Sequence, residues 1–229
     1  MHEFKSNYRL YCFNVYIETG KLPNMILQSE IAAVVLAGGK SSRMGYQDKA
    51  LLTLHKKPLI EHVIENARNQ VGSMVISVNN CPQKYEYLQL PLIPDKLCNQ
   101  AGPLSGIYSA MDWFHKEKKE SDIKYLACFA ADVPYFPENI IALLSDSLES
   151  TGCKVAYCIS GGQIQPLFSL WSLDLLDDIK AALNRGVYGP KPLLPKLQSV
   201  MVDIPSSKPE YFLNINSPDS LAEAEKRSA

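Results

Sequence analysis

The sequence has no surplus of charge of either sign: 23 Lys and Arg stand against 24 Asp and Glu, a formal net charge of −1. Without a basic field over its surface the chain lacks the footprint of a non-specific nucleic-acid binder, so any anionic partner must be held locally. Metal-ligand spacing is missing as well. None of the six cysteines (Cys12, Cys81, Cys98, Cys128, Cys153, Cys158) forms a C-x-x-C pair, and His2, His55, His62 and His115 show neither H-x-x-x-H nor H-x-x-E-H spacing. Neither structural zinc nor imidazole-based metal catalysis is indicated. Thiols scattered through a chain too large to need disulfide staples read as reduced, which points to the cytoplasm. The longest strongly apolar run, Ile31 to Ala37, has seven residues, far short of the roughly 20 that span a bilayer, so no membrane segment is expected. Repeats, low-complexity tracts and linker composition are also absent. What remains is ordinary globular composition, 46% apolar and 21% charged over 229 residues, with length enough to bury a substantial core.

Residues 1–28 carry aromatics without periodicity and end in Gly20, Pro23 and Asn24. Cys12 and Asn14 interrupt the stretch from Leu10 to Ile17, and no small-residue cleavage site follows, so an extension is expected here rather than a signal peptide. It reads as an N-terminal extension, a candidate for a poorly ordered arm, with one domain over residues 29–229. The run Ile31 to Ala37, closed by Gly38-Gly39, has the form of a strand buried on both faces. Pro58 then stands where a helix would begin, and Leu59, Ile60, Val63, Ile64, Ala67 and Val71 recur at helical spacing. Met74 to Val78 completes a β-α-β unit. The same alternation continues with a helix over Leu104 to Phe114, a strand over Tyr125 to Ala131 and a helix starting at Pro137. Further strands are expected near Lys154 to Ile159, Pro166 to Leu170 and Val200 to Ile204, with helices over Leu173 to Leu183 and Pro218 to Lys226. Lys116 to Glu120 reads as a solvated helix end. Alternating strands and helices predict an α/β fold: three layers, α/β/α, around a mostly parallel central sheet.

The chemistry concentrates where the first strand ends. Leu36-Ala-Gly-Gly-Lys-Ser-Ser-Arg-Met-Gly45 leaves the carboxyl end of that strand, which is where open α/β sheets bind ligands. Gly38 and Gly39 let backbone approach a bulky anion, and Ser41 and Ser42 add donors. Lys40, Arg43 and Lys49 fall within ten residues, a concentration of positive charge that suits a triphosphate better than a neutral ligand. Other glycine-rich readings fail on spacing: Met44 stands where a P-loop needs its second glycine, and Gly38-Gly39-Lys40 is not the start of G-x-G-x-x-G. A tight turn with solvated charges is the alternative.

The stretch L-A-G-G-K-S-S-R-M-G-x-x-D-K-A-L, Leu36 to Leu51, resembles the nucleotide-binding signature of NTP transferases with a Rossmann-like fold. Three further segments follow in order: Gly102-Pro-Leu-Ser-Gly106, Asp132-Val-Pro134 and Asn214-Ile-Asn-Ser-Pro218. Together they resemble the MobA-like NTP transferase family, the molybdenum cofactor guanylyltransferases, over about Ile31 to Lys226. Sugar-nucleotide and other cytidylyl or uridylyl transferases share the first motif in looser form.

That resemblance implies a Rossmann-like nucleotidyltransferase fold and a cytoplasmic, Mg2+-dependent enzyme. It would move GMP from GTP to molybdopterin, with molybdoenzyme clients or their chaperones downstream and no nucleic-acid or membrane partner. It implies that Asp132 ligates Mg2+, that Lys49 neutralises phosphate charge and that Arg43 grips the leaving pyrophosphate. Leu36, Ala37, Gly38, Gly39, Lys49, Asn79, Asp95, Gly102 and Gly106 would bind nucleotide; Gln165, Asn214 and Asn216 would bind molybdopterin. Each has a plainer alternative. Asp132 can be a helix cap, Lys49 and Arg43 surface cations, Asn79-Asn80 a turn, and N-I-N-S-P a helix start with Ser217 as its cap. Tyr46 departs from the family, which frequently has Gly there. At the level of activity the alternatives are a relative using CTP or a sugar-phosphate acceptor, and a non-catalytic carrier of nucleotide or molybdopterin.

Overall fold

A computed structural model describes residues 25–38, 48–96, 102–117, 122–205, 208 and 210–227. In chain order its strands and α-helices are β1 (Ile31–Leu36), β2 (Thr53–Leu54), β3 (Lys57–Pro58), α1 (Leu59–Arg68), β4 (Ser73–Ser77), β5 (Leu92–Ile93), α2 (Pro103–Glu117), β6 (Tyr125–Ala130), α3 (Ile140–Thr151), β7 (Val155–Ser160), β8 (Gln163–Ser172), α4 (Leu176–Asn184), β9 (Ser199–Asp203) and α5 (Pro218–Arg227). Seven of the strands form one sheet in the order β5-β4-β1-β6-β8-β7-β9, and β2 and β3 pair separately as a short hairpin.

All six residues of β1 are buried. A strand without a polar face needs cover on both sides, and β1 receives it from mid-sheet, in parallel register with β4 and β6. Its alternate side chains feed two separate cores. Ile31, Ala33 and Val35 pack with Ile60, Val63 and Ala67 of α1 and with Ile141, Leu144 and Leu148 of α3. Ala32, Val34 and Leu36 pack with Ile107, Met111 and Phe114 of α2 and with Ile179 and Ala182 of α4. The result is the expected three-layer α/β/α arrangement, each fully buried aliphatic side chain contributing about 1.5–3 kcal/mol. A third, smaller core joins Leu54 and Leu59 to Ile215 and Ala224, which seats α5 against the β2–β3 hairpin.

The sheet is mostly parallel, and β8 is the exception, running antiparallel to both β6 and β7. The cause is local. β7 and β8 are joined only by Gly161-Gly162, at φ of 55° and 77°, and two consecutive positive φ values give the twist of a two-residue hairpin. Strand β8 is accordingly longer than the expected Pro166 to Leu170. The helix expected at Pro137 begins instead at Ile140, because residues 137–140 close a turn with the Ile140 N–H on the Pro137 carbonyl at 3.2 Å. The helix expected from Leu173 opens with a single 3-10 turn, Leu173–Leu175, before α4. Residues 1–24 lie outside the described residues, and with them most of the expected extension. Ile26 already packs against the core, and Gln28 donates to the carbonyls of Asn69 and Val71 at 3.1 Å each. No helix among the described residues is long and apolar enough to cross a membrane.

Candidate active site

A cleft opens at the carboxyl ends of β1 and β6. Residues 36–38 and 130–132, the ends of the two strands, form its floor; residues 48–50 form one wall, and Pro103, Leu167 and Asn214 complete the lining. The strand ends are tied together by backbone. The Ala131 N–H bonds the Leu36 carbonyl at 3.2 Å, and the Ala37 N–H bonds the Ser77 carbonyl at 2.9 Å. Gly39 and Arg43, with Lys40, Ser41, Ser42 and Tyr46, lie outside the described residues.

Lys49 starts a 3-10 turn, Lys49–Leu51, whose Ala50 is buried and fixes where the lysine leaves the surface. Its Nζ donates to Oδ1 of Asn216 at 2.7 Å. Two motifs separated by 167 positions therefore meet at one hydrogen bond. Beside Asp48, Tyr85 is fully buried; desolvation, with the Asp48 carboxylate nearby, pushes its hydroxyl pKa up.

Asp132 follows β6 and is half-buried. Burial raises its pKa above its ordinary value, opposed by a backbone hydrogen bond and by the positive charge of Lys49. It is not the cap of α3, whose N-terminal boundary residue is Asn139. The segment carrying Asn214 and Asn216 is strapped to it: the Ile215 N–H bonds the Asp132 carbonyl at 2.9 Å, and the Phe212 N–H bonds the Tyr135 carbonyl at 2.9 Å. A run of aromatic contacts backs this strap, Phe129 to Phe136 at 5.2 Å, Phe136 to Phe168 at 5.2 Å and Phe168 to Phe212 at 5.0 Å between ring centroids. N-I-N-S-P is also a helix start. Ser217 Oγ accepts the Ser220 N–H at 3.2 Å, and Ser220 Oγ accepts the Ser217 N–H at 3.0 Å. This reciprocal cap starts α5 and leaves Asn214 and Asn216 exposed at the cleft side.

The nucleotide-side expectations converge around β4. Asn79 is not a bare turn residue: its Nδ2 donates to Asp95 Oδ2 at 2.8 Å and its Oδ1 accepts the Asp95 N–H at 2.8 Å, while Ser77 Oγ donates to Asp95 Oδ1 at 3.1 Å. Gly38 adjoins this pair, since a Cβ there would stand 3.3 Å from Asn79 Nδ2. Gly106 and Gly102 have a packing reason of their own. A Cβ on Gly106 would lie 2.6 Å from Leu36 Cδ2 and 2.7 Å from Ser77 Oγ, and one on Gly102 would lie 2.3 Å from the Tyr188 carbonyl oxygen. The bare Gly106 lets α2 sit directly on the ends of β1 and β4, and the bare Gly102 lets the start of α2 pass close to the Tyr188 backbone. Gln165 is half-buried on β8, opposite Cys158 and two positions before Leu167, and does not itself line the cleft. Asp48 was missed as a lining residue, although its place in the D-K pair of the first motif was the available signal.

Comparison with known proteins gives a consistent picture. Residues 33–200 match the MobA-like NTP transferase domain. A molybdenum cofactor guanylyltransferase of Rhizobium meliloti is 34% identical over 202 residues, covering 84% of this chain and 89% of that protein. One of Rhizobium leguminosarum bv. trifolii is 34% identical over 208 residues, covering 87% and 93%. Among solved structures, molybdopterin-guanine dinucleotide biosynthesis protein A of Archaeoglobus fulgidus superposes with a TM-score of 0.67 at 24% identity, over 86% of this chain and 97% of that one.

Proposed function

The chain belongs to the MobA-like NTP transferase family, and from that premise we propose that it transfers GMP from GTP to molybdopterin, with or without bound molybdenum. In this reaction a terminal phosphate oxygen of the acceptor attacks the α-phosphorus of GTP. The bond from the α-phosphorus to the bridging oxygen breaks, pyrophosphate leaves, and a guanine dinucleotide is formed. The observation that carries the reading is the meeting of Lys49, Asp132 and the Asn214–Asn216 segment at one cleft, at the carboxyl end of the central strand.

Placement supports the roles of Lys49, Asn214 and Asn216, and the family resemblance supplies those of Arg43 and Gln165. Lys49 puts its charge over the glycine-rich strand end, where phosphates would lie, and stabilises charge that grows on them during displacement. Asn216, bonded to Lys49, and Asn214 on the cleft wall present amide groups to the acceptor, so both substrates would be oriented by one strap. Arg43 is assigned to the leaving pyrophosphate and Gln165 to the acceptor. Asp95 and Asn79 are assigned to the nucleoside end, beside Gly38.

The donor set fits Mg2+. Among the described residues no cluster of three His, Cys, Asp or Glu forms a self-contained cage, and Mg2+ typically takes one or two carboxylates together with water and substrate phosphates. Asp132, its carboxylate poorly compensated in a half-buried site, is the residue that would hold it. When bound, the ion would neutralise phosphate charge. The free thiols of exposed Cys81, half-buried Cys153 and buried Cys128 and Cys158 are in keeping with a reducing cytoplasm, where molybdoenzyme clients or their chaperones would take the product.

The test is pyrophosphate release by the purified protein with Mg2+, molybdopterin and each of GTP, CTP, UTP and ATP. The expected result is release with GTP that requires molybdopterin. Preference for CTP would change the product assigned, and GTP binding without release from any nucleotide would replace the enzyme with a carrier.

A further inference from the structure

Helix α2 carries a polar stripe where a core helix would ordinarily be apolar. Ser105 and Ser109 are fully buried and Asp112 is only 5% exposed. Two of its members, Ser109 and Asp112, lie under the segment that follows β5 and reach the same residue there. Ser109 Oγ accepts the Lys96 backbone N–H at 2.9 Å, and the Asp112 carboxylate pairs with Lys96 Nζ. Lys116, one turn further along α2, adds a second cation to Asp112 at 3.0 Å. Lys96 is therefore held at its backbone and at the end of its side chain. Its neighbour is Asp95, whose N–H and carboxylate are gripped from the other side by Asn79 and Ser77.

A carboxylate buried at this level costs several kcal/mol in lost hydration, returned only by close pairing. The pairing offsets that cost but does not require a carboxylate here. The same helix already buries Leu104, Ile107, Met111 and Phe114, and an apolar residue at 112 would continue that face at lower cost in desolvation. Asp is also a poor former of helix interiors. What the Asp112–Lys96 pair does is help fix the segment that presents Asp95, whose partner Asn79 stands beside Gly38 of the cleft.

We propose that Asp112, with Ser109, acts through Lys96 as a positioning device for Asp95, setting nucleotide affinity and base selectivity rather than the rate of phosphoryl transfer. The inference rests on the reading of Asp95 as a nucleoside contact. Asp112 touches no substrate in this account; it holds the loop that does.

The experiment is acceptor-dependent pyrophosphate release by the full chain, with GTP varied and CTP as the competing nucleotide, for Asp95→Asn, Asp112→Asn, Asp112→Glu, Lys96→Met and the Asp112→Asn/Lys96→Met double variant. Asp112→Asn and Lys96→Met are each expected to raise KM for GTP roughly five- to tenfold and to narrow the preference for GTP over CTP, with kcat changed less than about twofold. The double variant should be no worse than either single one, because both remove the same contact. Asp112→Glu should recover most of the affinity. If Asp112→Asn fails to fold, Lys96→Met breaks the pair from its exposed side and carries the test alone. A raised KM in Asp95→Asn with an unchanged KM in Lys96→Met and Asp112→Asn would overturn the positioning role and leave Asp95 as a contact. An unchanged KM in Asp95→Asn would remove the reading of Asp95 itself, and the proposal with it. Effects that add in the double variant, or that appear in kcat instead of KM, would also overturn it.

Discussion

Two carboxylates, Asp132 in the cleft and Asp112 on α2, are withdrawn from water to different degrees, and their surroundings treat them in opposite ways. Burial would raise the pKa of Asp112, but hydrogen bonds from Lys96 and Lys116 outweigh it and hold the carboxyl below its ordinary range. Burial also raises the pKa of Asp132, and there the backbone hydrogen bond and the field of Lys49 do not offset it. The first site is electrostatically complete within the protein. The second is short of positive charge, which is the condition expected of a group that meets a cation and a polyphosphate only when substrate arrives. Completeness marks a residue that holds structure in place; incompleteness marks one that works on a ligand.

Substitutions can break that contrast. The largest effect is expected from Asp132→Asn, which should lower kcat on the order of 10^3-fold. Its thermal midpoint should be equal to or above that of the parent, since a half-buried carboxylate that its surroundings only partly compensate is replaced by a neutral isostere. Steady-state kinetics paired with calorimetry checks both halves. Lys49→Ala should lower kcat about 10^2-fold with the fold retained, and pyrophosphate release under saturating GTP measures it. Near-normal rates in both variants would sink the assignment of this cleft.

Gly106→Val sharpens the contrast from the packing side. Its new side chain would meet Leu36 and Ser77, so the thermal midpoint should fall by the equivalent of about 1–3 kcal/mol. Because Ser77 also donates to Asp95, KM for GTP should rise in the same variant. The smallest effect concerns pH. Asp112 has a folded pKa below its unfolded one, so its contribution to stability is present above the ordinary carboxylate range and is lost as pH falls through the lower folded value. Asp112→Asn should therefore flatten the acid limb of stability against pH, as followed by chemical denaturation at successive pH values. Glu30, paired with exposed Lys124 and also lowered, should contribute in the same direction.

Much of this was readable in the linear sequence, for a physical reason in each case. Residues 31–36 are apolar at every position, and only mid-sheet placement accommodates such a strand. The four motifs sit where strands end or helices begin, so their chemistry and their topology coincide. Periodicity gives the faces of a strand but not its direction, so the reversal of β8 escaped it. The available signal was Gly161-Gly162, read correctly only as a hairpin turn. The two-residue strands β2, β3 and β5 are too short to carry a period. The bond between Lys49 and Asn216 joins residues 167 apart, a distance that no local pattern spans. Lys116, read as part of a solvated helix end, is exposed as expected, but the burial of Asp112 one turn before it left no mark, because composition cannot tell a solvated charge from one buried under a loop.

The central claim is that the α-phosphorus of GTP is the centre attacked, at a cleft served by Asp132. The most direct measurement is a single turnover with GTP labelled at its α-phosphate, comparing the parent with Asp132→Asn in the presence of molybdopterin and Mg2+. The account predicts that the label passes into a pterin–guanine dinucleotide in the parent and remains in GTP in the variant. Label appearing as free GMP, or equal transfer by both proteins, would contradict it.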